Sequence, residues 1–108
     1  MSNLNYPRMK VNVQTPNFDA DIKLIEFIKK RLSKLETFYD RIIFADVFLK
    51  VQNTSQKENK IVEVLLSIPG DDVIVKKECR KFEEGVDECA HSLERQLKKR
   101  KQKQRAHL

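Results

Sequence analysis

The period of the hydrophobic pattern changes three times along this chain of 108 residues. It is two residues at first, then between three and four, then two again, and finally between three and four. A period of two is typical of a half-buried β-strand, and a period near 3.6 is typical of an amphipathic α-helix. The pattern therefore predicts a strand, a helix, further strands and a last helix.

Four segments with the two-residue period are predicted to be strands: residues 9–14, 44–51, 61–68 and 72–77. The first is ended by Pro16, because proline removes a backbone donor from the ladder. The polar residues 52–60 are predicted to be a hairpin loop, and the Pro-Gly-Asp sequence at 69–71 is a turn signal. Met9 begins the first patterned segment and is a second candidate, beside Met1, for the native start.

Two segments have helical spacing. The first is predicted to begin at an N-cap, Asp21 or alternatively Asp19, because a short carboxylate can accept the free amides of a first turn. Its apolar stripe consists of Leu24, Ile28, Leu32, Leu35 and Tyr39. The second helix is predicted at about 81–103, with a stripe of Phe82, Val86, Cys89, Leu93 and Leu97 and with Ala90 beside it. Within it, Gly85 costs about 1 kcal/mol relative to Ala, unless close packing against the first helix requires a small residue.

The element order β-α-β-β-β-α limits the possible folds. A helix that joins two strands as a crossover makes those strands parallel, whereas hairpins are antiparallel. We therefore expect an α+β fold, a two-layer α/β sandwich in which both helices cover one face of a four-stranded mixed sheet. Residues 9–103 are expected to form this single domain, with a flexible leader at 1–8 and a disordered basic tail at 104–108.

The charge of the chain is concentrated at one end. Residues 1–93 carry 15 basic and 15 acidic side chains, whereas residues 94–105 carry seven basic residues and one acid. The first helix adds five cations between positions 23 and 34 against one acid. A solvated helix face and the helix dipole account for a few of these charges, but not for seven together, because neighbouring like charges repel. Such a cluster is typical of a protein that binds a polyanion.

Catalytic and metal-binding patterns are scarce in the sequence. Cys89 and His91 lie about 200° apart on a helix, so we expect a buried cysteine and a surface histidine, and no metal site. Cys79 and Cys89 are expected to be free thiols in a reducing cytoplasm. We expect no enzyme activity, cofactor, small-molecule substrate or membrane span. No base-reading motif is recognisable, which favours structured RNA bound through its shape and backbone.

Several stretches are similar to one known family. The element order, together with residues 34–36, 38–42, 47–51, 68–70 and 93–99, resembles the ribosome hibernation-promoting factor and protein Y family of bacterial ribosome-binding stress proteins. The match covers about residues 9–103. Its most specific part is the ending Glu94-Arg95-Gln96-Leu97 followed by basic residues, whereas the individual strands are not specific.

The resemblance implies a fold like that of double-stranded RNA-binding domains. It also implies binding in the decoding cleft of the small ribosomal subunit, against ribosomal RNA, where the protein would block the mRNA and tRNA positions. Translation would thus be silenced by steric occlusion in stationary phase or stress. The RNA-facing residues that it implies are Lys30, Arg31, Lys34, Lys77, Arg80, Arg95, Lys98, Lys99 and Lys101.

The chain departs from the family pattern at two points. Arg80 and Lys81 stand where the family usually has an acidic or hydroxyl cap before the second helix. The sequence printed here also stops soon after that helix, so it looks like a short hibernation factor. In that subfamily, a separate ribosome-dimerising protein assists the pairing of ribosomes.

Other hypotheses remain open at this stage. The same cations could serve a general structured-RNA or DNA-binding module, and competition with tRNA or mRNA would separate that from a ribosome-binding inhibitor. A protein-interaction domain with a solubilising tail would bind with little salt dependence. An enzyme would need a pocket of convergent titratable groups.

Overall fold

The computed structural model describes the backbone of residues 9–106 and the side chains of residues 9–103. Its elements are β1 Lys10–Gln14, α1 Ile22–Ser33, a 3₁₀ helix Lys34–Thr37, β2 Phe44–Val51, β3 Lys60–Ile68, β4 Asp71–Cys79 and α2 Phe82–Ala106. The predicted element order is thus confirmed. Helix α2 runs three residues past its predicted end and takes in residues 104–106 of the expected tail, because Gln, Arg and Ala are favourable helix residues. The expected leader, residues 1–8, lies outside the described residues.

The four strands form one sheet in the order β1-β2-β3-β4. Strand β1 is parallel to β2, and the other two pairs are antiparallel, so the predicted mixed sheet is confirmed. Strand β4 is longer than predicted, because every residue from Asp71 to Cys79 pairs with one of the nine residues of β3. The turn before it places Gly70 at a φ of +79°, a conformation that suits glycine in a tight turn.

The hydrophobic core lies between the sheet and both helices. One cluster contains the inward-facing residues of β2, β3 and β4 together with the apolar stripes of α1 and α2. Both helices therefore cover the same face of the sheet, as expected from the sequence. Phe48 and Leu65 lie half-buried on the outer face, where Ile74 is exposed.

Helix α1 begins at the predicted residue but ends before its apolar stripe does. The carboxylate of Asp21, rather than Asp19, accepts a hydrogen bond from the backbone N–H two residues on. The helix then tightens into the 3₁₀ helix. The hydroxyl of Ser33, at the end of α1, and that of Thr37, at the end of the 3₁₀ helix, each donate to the carbonyl three residues earlier, at 3.1 and 2.7 Å. Such local bonds compete with regular α-helix. Tyr39 is buried even though it follows both helical segments.

Gly85 is required by packing against the sheet, and not against the first helix as the sequence suggested. A Cβ at this position would lie 2.5 Å from Cys79 Sγ and 2.8 Å from Val62 Cγ2. Helix α2 therefore lies so close to β3 and to the end of β4 that only a hydrogen fits there. This close approach sets the position of the whole second helix over the sheet.

Candidate nucleic-acid interface

An ion pair connects the two helices. Arg31 Nε of α1 donates to Asp87 Oδ1 of α2 at 2.8 Å, and His91 Nε2 lies 3.5 Å from Asp87 Oδ2. The hydrogen bond from Arg31 lowers the pKa of Asp87 below its usual value. The Arg31 side chain is only 18% exposed, so this ion pair lies mostly between the two helices.

The 3₁₀ helix meets the C-terminal half of α2 at an aromatic ring. Lys98 Nζ lies 4.8 Å from the centroid of the half-buried Phe38 ring, within cation–π range. The same ammonium group lies 3.1 Å from Glu94 Oε2. A surface cavity opens at this junction, and its lining consists of Thr37, Phe38, Lys98, Lys101 and Gln102.

The other side of α2 contacts the start of β4, directly after the turn that follows β3. Arg100 forms an ion pair with Asp71, and its hydrogen bond lowers the pKa of that carboxyl group. A second surface cavity there is lined by Gln96, Lys99, Arg100 and Lys103. The end of α2 is therefore held over the sheet by charge after its apolar stripe has ended at Leu97.

The predicted RNA-facing residues occupy three parts of the fold. Those exposed on the helices are Lys30, Lys34, Arg95, Lys98, Lys99 and Lys101. Arg80 is exposed in the connection between β4 and α2. Lys77 is half-buried, because it lies on the same face of β4 as the inward-facing Val75 and Cys79. Arg31 belongs to the inter-helix ion pair. The contribution of each residue to RNA binding stays a prediction.

Most of the exposed helical cations have no acidic partner. Among the described side chains, the predicted RNA-facing residues on the helices that form no ion pair are Lys30, Lys34, Arg95, Lys99 and Lys101. The acids at the helix junction already have basic partners: Asp87 contacts Arg31 and His91, and Glu94 contacts Lys98. Phosphates can therefore approach this surface without first displacing carboxylates from most of its lysines.

The remaining reactive groups are buried or isolated. Burial raises the pKa of the Cys89 thiol to about 12, and burial likewise raises that of Cys79, so both thiols are neutral at pH 7. Both cysteines are free, and His91 is exposed, as predicted. Within residues 9–103, no three His, Cys, Asp or Glu side chains are placed to hold a metal ion. None of the helices in the described part of the chain has the length and apolarity needed to cross a bilayer.

Comparison with known proteins places the chain in one family. Residues 11–105 match the family model described as Sigma 54 modulation protein / S30EA ribosomal protein, so the chain belongs to this family. The ribosome hibernation promoting factor of Pseudomonas putida is 33% identical over 98 residues, which cover 91% of this chain and 92% of the relative. The factor of the same name from Azotobacter vinelandii is 31% identical over 89% of this chain and 86% of its own length.

A solved structure has the same fold. The ribosomal subunit interface protein from Coxiella burnetii superposes with a TM-score of 0.75 at 26% identity, over 86% of this chain and 98% of that protein. The resemblance proposed from the sequence is thereby confirmed, and so is the predicted α+β fold.

Two residues of this surface were missed by sequence reasoning. Asp87 was not connected with Arg31, because no local pattern links positions 56 residues apart. Phe38 was not considered as a surface group, although a signal existed. It is followed directly by the stripe residue Tyr39, and adjacent residues at the end of a helix rarely both face the core.

Proposed function

We propose that this protein is a ribosome-binding translation inhibitor that promotes ribosome hibernation in stationary phase or stress. The observation that carries the proposal is the set of unpaired cations on two helices that contact each other. Membership of a family whose relatives bear the name ribosome hibernation promoting factor supports it. Such a role would be exercised in the cytoplasm.

The mechanism is steric occlusion of the decoding cleft of the small subunit. Exposed lysines and arginines of α1 and α2 contact phosphates of ribosomal RNA, and each contact releases condensed counterions. The Arg31–Asp87 and Arg100–Asp71 pairs keep α2 in place relative to α1 and the sheet. A folded domain that occupies the site where mRNA and tRNA bind excludes both without any chemical step.

Competition on isolated subunits tests this proposal. The labelled protein is bound to small subunits, and mRNA with an initiator tRNA is added at constant salt. We expect the protein to be displaced, and we expect pre-bound protein to block tRNA entry. Binding that is insensitive to mRNA and tRNA, and that total cellular RNA competes away equally well, would indicate a general structured-RNA-binding module instead.

A further inference from the structure

The cavity beside Phe38 combines three chemical characters in one place. The ring supplies an aromatic surface, Lys98 and Lys101 supply positive charge, and Thr37 and Gln102 supply a hydroxyl and a carboxamide. The cavity has a volume of about 290 Å³ and lies between the 3₁₀ helix and α2. Phosphate contacts alone would not require a partly exposed ring beside these two lysines.

We propose that this cavity binds one unpaired nucleotide of an RNA strand, with the base stacked on Phe38 and the adjacent phosphates on Lys98 and Lys101. Every base has a π-face, so stacking on an aromatic side chain needs no particular sequence. The carboxamide of Gln102 can bond to a base edge or a 2′-hydroxyl, and the Thr37 oxygen, whose proton is donated to the Lys34 carbonyl, can still accept a hydrogen bond. The inference rests on the proposed function only in taking RNA as the partner.

Other kinds of ligand fit this cavity less well. An apolar protein partner would bury the ammonium groups of Lys98 and Lys101 without giving them a counter-charge, which is costly. A cationic ligand, which a single aromatic ring could attract, is repelled by the same two lysines. A nucleotide offers a flat ring, a negative charge and hydrogen-bonding edges, and thus uses all the groups that line the cavity.

Lys98 can change partners when RNA binds. In the free protein its ammonium group is shared between the Phe38 ring and Glu94, at 4.8 and 3.1 Å. More than half of the Lys98 side chain is exposed, and exposed pairs of this kind are weak. An incoming phosphate can therefore draw Lys98 away and leave the ring face open for a base.

A short RNA carrying a fluorescent base tests the subsite without the ribosome. The probe is a single-stranded octanucleotide with one 2-aminopurine, titrated with the wild-type protein, Phe38→Leu and Phe38→Tyr. Leu keeps apolar volume but has no π-face, and Tyr keeps the π-face. We expect fluorescence quenching by the wild type and Phe38→Tyr, and an affinity about 5- to 100-fold weaker for Phe38→Leu. Equal binding and quenching by Phe38→Leu, or no quenching by the wild type, would overturn the proposal.

Ribosome binding over a salt series separates this inference from the proposed function. Stacking is not ionic, so Phe38→Leu should weaken binding to ribosomes while the slope of affinity against salt stays unchanged. If Phe38→Leu matches the wild type on ribosomes and keeps its melting temperature, the stacking subsite is wrong and ribosome binding stands. If the wild type itself does not bind ribosomes, the proposed function fails, and the octanucleotide result still decides the subsite.

Discussion

Arg31 and Asp87 lie 56 residues apart in sequence and meet at 2.8 Å between the two helices that carry the basic surface. The arginine is largely buried and the aspartate is half exposed. The pair joins α1 and α2 across the surface that carries their exposed cations, while the apolar stripes of both helices pack on the same core. The structure therefore shows a structural role for Arg31, namely the ion pair with Asp87, whereas its contact with RNA is a prediction.

Replacing Asp87 with Asn should lower stability in a pH-dependent way. The hydrogen bond from Arg31 lowers the pKa of Asp87, so the folded state favours the charged carboxylate. A group with a lowered pKa stabilises the fold above its unfolded pKa, and this contribution is lost as pH falls through the folded pKa. We expect a loss of at most about 1 kcal/mol at pH 7, since the pair is partly exposed.

Urea unfolding of the wild type and Asp87→Asn between pH 3 and pH 7 checks this. The difference in the free energy of unfolding should be constant above about pH 5 and shrink below about pH 4. A difference that does not change over this range would contradict the role given to the carboxylate.

Replacing Gly85 with Ala should destabilise the protein even though Ala is the better helix residue. The gain in helix propensity is about 1 kcal/mol. Against it, the new Cβ would overlap Cys79 Sγ and Val62 Cγ2, and overpacking of this kind costs about 1–3 kcal/mol. A double-mutant cycle with Val62→Ala measures the clash directly, because removing Cγ2 should reduce the cost of Gly85→Ala. If Gly85→Ala instead raises the free energy of unfolding, the close contact of α2 with Val62 and Cys79 does not require a glycine.

Replacing Leu93 with Ala should destabilise the core without affecting the charged surface. Leu93 is fully buried in the stripe of α2, and such a change costs about 2–5 kcal/mol through the cavity that it leaves. The matched control is Arg95→Ala, two residues on and exposed, which should cost less than about 0.5 kcal/mol. Thermal or urea unfolding provides both values. Similar losses for the two variants would contradict the orientation of α2.

Stability should also fall at alkaline pH because of the buried thiols. Burial raises the pKa of Cys89 to about 12, so the folded state holds a proton that the unfolded chain loses near pH 9. A raised pKa therefore costs stability as pH rises above about 9. The slope of unfolding free energy between pH 8 and pH 10 should be shallower in Cys89→Ala than in the wild type. Identical slopes would mean that the thiol is accessible to water.

The order and pairing of the strands could be predicted because they depend on local patterns. Period-two segments, a crossover helix and a Pro-Gly turn are all visible within short windows of sequence. The partner of Gly85 could not be predicted in the same way. Which residues approach a glycine depends on how the helix packs on the sheet. For Gly85 these residues are Val62 and Cys79, which lie on two different strands.

The candidate interface was only partly predictable for a related reason. Composition shows where cations are concentrated, and helical spacing shows which of them are exposed. Whether a cation is free or paired depends on contacts across the fold, such as Arg31 with Asp87 and Arg100 with Asp71. The Glu94–Lys98 pair could have been found, because residues four apart on a helix are neighbours.

Co-sedimentation of the protein with ribosomes over a salt series tests the central claim most directly. The test variant changes Lys98, Lys99 and Lys101 to Glu. The matched control makes the same change in net charge at exposed lysines away from the helical face, namely Lys10, Lys50 and Lys57. The wild type and the control should pellet with ribosomes, with an affinity that falls steeply as salt rises. The test variant should fail to pellet at moderate salt while its melting temperature stays near that of the wild type. If the test variant pellets like the wild type across the series, or the control is lost equally, the basic surface of the two helices is not the docking surface.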